Sequence, residues 1–106
     1  MIKVSIDYDH QMVHHVKITG HAGYDELGKD LVCAAVSSIS VGTLNALDEL
    51  ANSDCKLTLA DNMIKIEVLQ INERSQLIIQ TMIIQLKTLY EQYKDFIEIK
   101  QTEVLK

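Results

Sequence analysis

Between Gly20 and Ser37 the chain reads Gly-His-Ala-Gly-Tyr-Asp-Glu-Leu-Gly-Lys-Asp-Leu-Val-Cys-Ala-Ala-Val-Ser. Three of its four glycines, one histidine and one of its two cysteines fall in this stretch. A thiol and an imidazole held together make a nucleophile: the ring nitrogen takes the S–H proton and the thiolate attacks an electron-poor carbon. Cys33 and His21 are the pair that this stretch offers. Taken singly, each has a plainer account. A cysteine among Leu31, Val32, Ala34 and Ala35 packs like a small hydrophobe, and a histidine after a strand needs no role beyond ending it. On residue types alone both accounts stay open.

The flanking elements have to bring the pair together. Val16 and Ile18 carry a strand into Gly20-His21, and a helical pattern starts at Leu31. Gly23 and Gly28 bound the loop between them, Ala22 to Lys29. With Gly20 they are its expected hinges, because glycine reaches left-handed backbone at little steric cost. The loop reads as a mobile lid that orders over a bound peptide. Asp30 suits the N-cap of the helix that follows, which puts Cys33 in the first turn. There the helix dipole favours thiolate over thiol, and unpaired N–H groups at Val32–Ala34 can hold an oxyanion. Cys33, Ser37, Ser40 and Gly42 make a small, polar flank on the helix, suited either to close approach by a peptide or to tight packing on a sheet.

Gly20-His21-Ala22, followed by Gly28-x-Asp30-x-Val32-Cys33-Ala34-Ala35-x-Ser37, closely resembles the motif of the ribosomal-processing cysteine protease (Prp) family of bacteria. The resemblance spans essentially the whole chain. It implies that Cys33 is the nucleophile and His21 the general base and acid. Asp30 also falls on a motif position, either as a helix cap or to orient His21. The family's activity implies a substrate: the N-terminal extension of a large-subunit ribosomal protein, removed by peptide cleavage. Two other readings fit the residues. One is a non-catalytic, dimeric interaction module with Cys33 in its core; the other is a small thiol hydrolase acting on a non-peptide substrate.

Composition bounds the rest. With 106 residues, 47% of them hydrophobic, residues 1–106 read as one domain with a single core. Two cysteines without close spacing make no disulfide framework and suit thiol chemistry in a reducing compartment. The net charge is −5 and the pI about 5.2, without a run of lysine or arginine. No direct nucleic-acid binding is expected on that ground, whereas an acidic protein suits a basic partner. No signal-peptide pattern and no apolar run of some eighteen residues stands out, so a cytoplasmic protein without membrane contact is expected. A metal site from His10, His14, His15 and His21 is disfavoured, because adjacent His14 and His15 on a strand point to opposite faces. No metal and no cofactor is expected. Cys55 reads as structural.

Along the chain, Ile2, Val4, Ile6 and Tyr8 alternate with polar residues as in a half-buried strand. Asp9-His10-Gln11 is a turn, and a second strand runs from about Met12 to Gly20 with Val16 and Ile18 inward and His14 in phase. A helix from Leu31 to Ala51 carries Val32, Val36, Ile39, Thr43, Leu47 and Leu50 on one stripe. Leu57 to Val68 is a hairpin turning at Asp61-Asn62. A second helix, from Glu73 to Tyr93 and capped by Asn72, turns Ile79, Met82, Ile83, Leu86, Leu89 and Tyr93 inward. Leu77, Ile78 and Ile84 make it apolar on a further face, for which a homodimer is the economical explanation. Phe96 to Gln101 gives a last strand. The order β-β-α-β-β-α-β implies an α+β fold, a largely antiparallel sheet of four to five strands with two helices packed on it.

Overall fold

A computed structural model describes residues 1–20 and 27–104, with residues 27–30 described by their backbone alone. The elements are β1 (Ile2–Asp9), β2 (Met12–Thr19), α1 (Leu27–Leu50), β3 (Cys55–Ala60), β4 (Met63–Val68), α2 (Glu73–Gln92) and β5 (Ile97–Glu103). This is the expected order, with five strands. They form one mixed sheet in the order β3-β4-β2-β1-β5, antiparallel throughout except that β5 runs parallel to β1.

Period-2 patterning puts one sheet face against both helices. Ile2, Val4, Ile6, Val16, Ile18, Ile66 and Ile97 are buried there against Val32, Val36, Leu44 and Leu47 of α1 and Ile79, Met82, Ile83 and Leu86 of α2. The opposite face is polar and uncovered by any described element. Asn72 caps α2 as expected, its side-chain oxygen accepting from the Ser75 N–H at 3.0 Å.

β2 departs from simple alternation. Asp7 pairs with His15 but Tyr8 pairs with Val13, so His14 is the extra residue of a β-bulge. The bulge flips the phase: Val13 is fully buried and His14 only half so, which corrects the placing of His14 on the inward set. The β1–β2 turn has positive φ at both His10 and Gln11, the type I′ geometry that matches the strand twist.

α1 starts four residues earlier than its sequence signals imply. Leu27 to Lys29 are helical, so Asp30 is the fourth residue of the helix and not its cap, and Gly28 lies within the helix and not at a loop hinge. The difference exceeds the usual one or two residues of boundary scatter. Leu50 is exposed, and Ala51 takes the buried place expected of it. The stretch Leu31–Leu50 is, by length and composition, apolar enough to cross a bilayer, contrary to the expectation that no such run exists. Its apolar content has a local cause: Val32, Val36, Leu44 and Leu47 lie on the sheet.

Candidate active site

Cys33 is the seventh residue of α1, in its second turn, partly buried against the core. Its backbone N–H, like those of Val32 and Ala34, sits inside the helical ladder. That corrects two expectations. These N–H groups are not the unpaired donors of a helix start, and a dipole effect that fades beyond the first turn is not what activates the thiol.

Cys33 lines a cleft of about 200 Å³ between α1 and the end of the β2–β4–β3 sheet. Val36, Ser37 and Val41 form its helical wall, Ile2, Ile18 and Ile64 its floor, and Leu59, Asn62 and Met63 its outer rim. Gly20 belongs to the same cleft. Its backbone is fixed by two contacts: its N–H donates to the Asn62 carbonyl at 3.0 Å, and with φ +82° a Cβ on it would lie 2.6 Å from the Met1 carbonyl oxygen. Only glycine fits there. The chain therefore leaves β2 at the rim of the Cys33 cleft, and the next residue is His21.

His21, Gly23 and most of the expected lid, residues 22–26, lie outside the described residues, so the lid expectation does too. The small flank of α1 divides. Ser37 shares the Cys33 cleft, Ser40 is buried without a hydrogen-bond partner for its hydroxyl among the described residues, and Gly42 opens on the other side into a groove of about 420 Å³ between α1 and α2. The cleft roles of Leu59, Asn62 and Met63 were not legible in the sequence, because the tip of the β3–β4 hairpin reaches the cleft through the β2–β4 pairing, a long-range relation.

The second cysteine behaves differently. Cys55 begins β3 at the opposite end of α1, where burial and then the neighbouring Asp54 carboxylate push its thiol pKa up. It is held as a thiol, in keeping with a structural part. Asp54 is itself buried and receives two hydrogen bonds from the Arg74 guanidinium, at 2.8 and 3.0 Å. The hydrogen bonds from Arg74 and Asn72 hold its carboxyl below the usual range. Among the described residues no group of three His, Cys, Asp or Glu side chains is placed to hold a metal. His10 and His14 both approach Asp9, and His15 approaches Asp7.

A half-exposed thiol in an apolar cleft, on a helix laid across a mixed sheet, defines a small α+β protein with a cysteine as its candidate nucleophile. The family model described as cysteine protease Prp matches residues 1–98. The ribosomal processing cysteine protease Prp of Staphylococcus aureus is 34% identical over 103 residues, covering 93% of this chain and 97% of its own. That of Bacillus subtilis is 31% identical over 107 residues, with 93% and 96% covered. The crystal structure of the S. aureus protease, described as essential and in complex with a covalently linked product peptide, superposes with a TM-score of 0.87 at 33% identity, covering 96% of this chain and all of that one. The chain belongs to the cysteine protease Prp family.

Proposed function

We propose that this chain is a cysteine endopeptidase in which Cys33 and His21 form the catalytic pair, and that it removes the N-terminal extension of a large-subunit ribosomal protein. The observation that carries the pairing is that Cys33 and Gly20 line one cleft, while chain connectivity puts the His21 Cα about 3.8 Å from that of Gly20. The substrate follows from the relatives, which are named for ribosomal processing and one of which was solved with a substrate peptide.

His21 takes the Cys33 proton, and the thiolate adds to the scissile carbonyl. The imidazolium then protonates the leaving amine as the C–N bond breaks. Water, deprotonated by the same imidazole, attacks the thioester and returns Cys33 as a thiol. Because α1 uses the N–H groups around Cys33 in its own ladder, the donors for the oxyanion come from elsewhere. The apolar cleft walls accept uncharged side chains of the peptide.

The protein works in the cytoplasm as a homodimer, joined through the face of α2 where Leu77 and Ile84 stand exposed; sedimentation of Leu77→Glu/Ile84→Glu as a monomer checks the dimer. For the activity, the precursor ribosomal protein is incubated with the wild type, Cys33→Ser and His21→Ala, and product masses are read. One cleavage by the wild type and none by Cys33→Ser is expected. Near-full cleavage by Cys33→Ser would remove Cys33 from the mechanism.

A further inference from the structure

The uncovered face of the sheet carries five of the ten cationic side chains of an acidic protein. Register sorts most of that face into three rows, with the pair of Asp9 and Met12 beyond them. Across one end run Glu98, Lys3, Thr19, Met63 and Ala60; across the other, Thr102, Asp7, His15, Glu67 and Lys56. The outer rows mix both signs: Lys3 stands opposite Glu98 in one, and in the other Lys56 stands opposite Glu67 while Asp7 faces His15. The middle row is Lys100, Ser5, Lys17, Lys65 and Thr58. It holds three lysines and no acid. Lys17 and Lys65 are direct cross-strand partners, a like-charge pairing that works against the sheet. None of the three has a carboxylate within ion-pair distance among the described residues.

We infer that this lysine row is a docking surface for the phosphate backbone of double-stranded RNA. At about 4.8 Å per strand the row spans some 14 Å from β5 to β4, with the Ser5 and Thr58 hydroxyls set among the ammonium groups. No described Phe, Tyr or Trp lies on this face, and His15 is its lone imidazole in the rows, so it offers no platform on which successive single-stranded bases would stack. No described helix or ribbon projects from it to enter a major groove. A flat, cationic, hydroxyl-bearing surface fits the wide, shallow minor groove of an RNA duplex, where phosphates and 2′-hydroxyls are what is met. Among the described residues a polypeptide would find few apolar contacts in the rows, Met63 and Ala60, with Met12 beyond them, and a second copy of the face would set lysine against lysine. The sequence gives the opposite expectation because Lys17, Lys65 and Lys100 are scattered along it; only the strand register assembles them.

Fluorescence anisotropy with a labelled short RNA duplex tests this, independently of the peptidase assignment. Wild-type protein should bind near 50 mM salt with a log–log salt slope of about −2 to −3. Lys17→Gln/Lys65→Gln/Lys100→Gln should bind at least about tenfold more weakly and lose most of that slope. Lys87→Gln/Lys94→Gln, which removes charge from the end of α2, should change affinity less than about twofold. Circular dichroism of the triple variant should match the wild type, as should its cleavage of free precursor peptide if the chain is a peptidase. Absence of RNA binding by the wild type, or equal loss in the α2 variant, overturns the proposal. So does equal binding of a DNA duplex, or displacement of the RNA by poly-glutamate at equal charge, which would mark the row as a site for an acidic polypeptide.

Discussion

The Gln76 side chain closes a double hydrogen bond on the backbone of Val13: the Val13 N–H donates to Oε1 at 2.9 Å, and Nε2 donates to the Val13 carbonyl at 2.8 Å. Both residues are buried. β4 pairs with β2 only from His15 to Thr19, so beyond the His14 bulge Val13 has no strand on that side, and an amide from α2 replaces the missing neighbour. Replacing Gln76 with Leu keeps the volume and leaves a buried N–H and a buried C=O unsatisfied. Such groups cost about 1–3 kcal/mol each, so urea unfolding should show a loss of about 2–4 kcal/mol. A loss under about 1 kcal/mol would mean that water reaches Val13.

Gly20 is the second fixed point. Gly20→Ala places a Cβ against the Met1 carbonyl in left-handed backbone, so a destabilisation of about 2 kcal/mol is expected. Because His21 follows directly, kcat on the precursor peptide should fall further than folding does. Unchanged kcat in a destabilised variant would show that His21 is not positioned through Gly20.

Activation of the thiol follows from where Cys33 sits in α1. With Cys33 in the second turn of α1, beyond the reach of the helix-start dipole, the proposed base His21 is the source of activation to test. Iodoacetamide alkylation near pH 6.5 should be much faster at Cys33 than at Cys55, whose thiol is held protonated. In His21→Ala the Cys33 rate should drop by about tenfold or more. If the variant keeps the wild-type rate, another group activates the thiol.

The buried Asp54 makes stability acid-sensitive. Its carboxyl titrates lower in the folded protein than in the unfolded chain, chiefly because of the Arg74 hydrogen bonds. The stabilisation is therefore complete above the unfolded value, about 3.9, and is lost as pH falls through the lower, folded value. Thermal midpoints of the wild type should decline below about pH 4. Asp54→Asn should be less stable at neutral pH and show a flatter decline in that window; an unchanged slope would assign the acid sensitivity to other carboxylates.

Much of this was legible because it is local. Alternation marked the strands, Asn72 marked the start of α2, and the motif around Cys33 marked the family. Asp30 misled for a local reason as well: it is a good capping residue, yet Leu27-Gly28-Lys29 also takes helical backbone, and propensity alone does not decide which turn comes first. The parallel β5, the Gly20–Asn62 contact and the lysine row all depend on residues distant in sequence. No window of the chain contains both partners of any of them.

The parallel pairing of β1 with β5 sets the order in which the protein becomes itself. Ile2 pairs with Ile97, and its N–H donates to the Phe96 carbonyl at 2.9 Å; Ile2 is also the floor of the cleft that Cys33 lines. A growing chain can form the β1–β2 hairpin early, since loop closure there is short. The strand that holds Ile2 in place comes from the opposite end of the sequence, and such non-local pairing forms slowly. The floor of the cleft is thus finished among the last steps of folding, and a half-made chain carries Cys33 without yet having that floor beneath it.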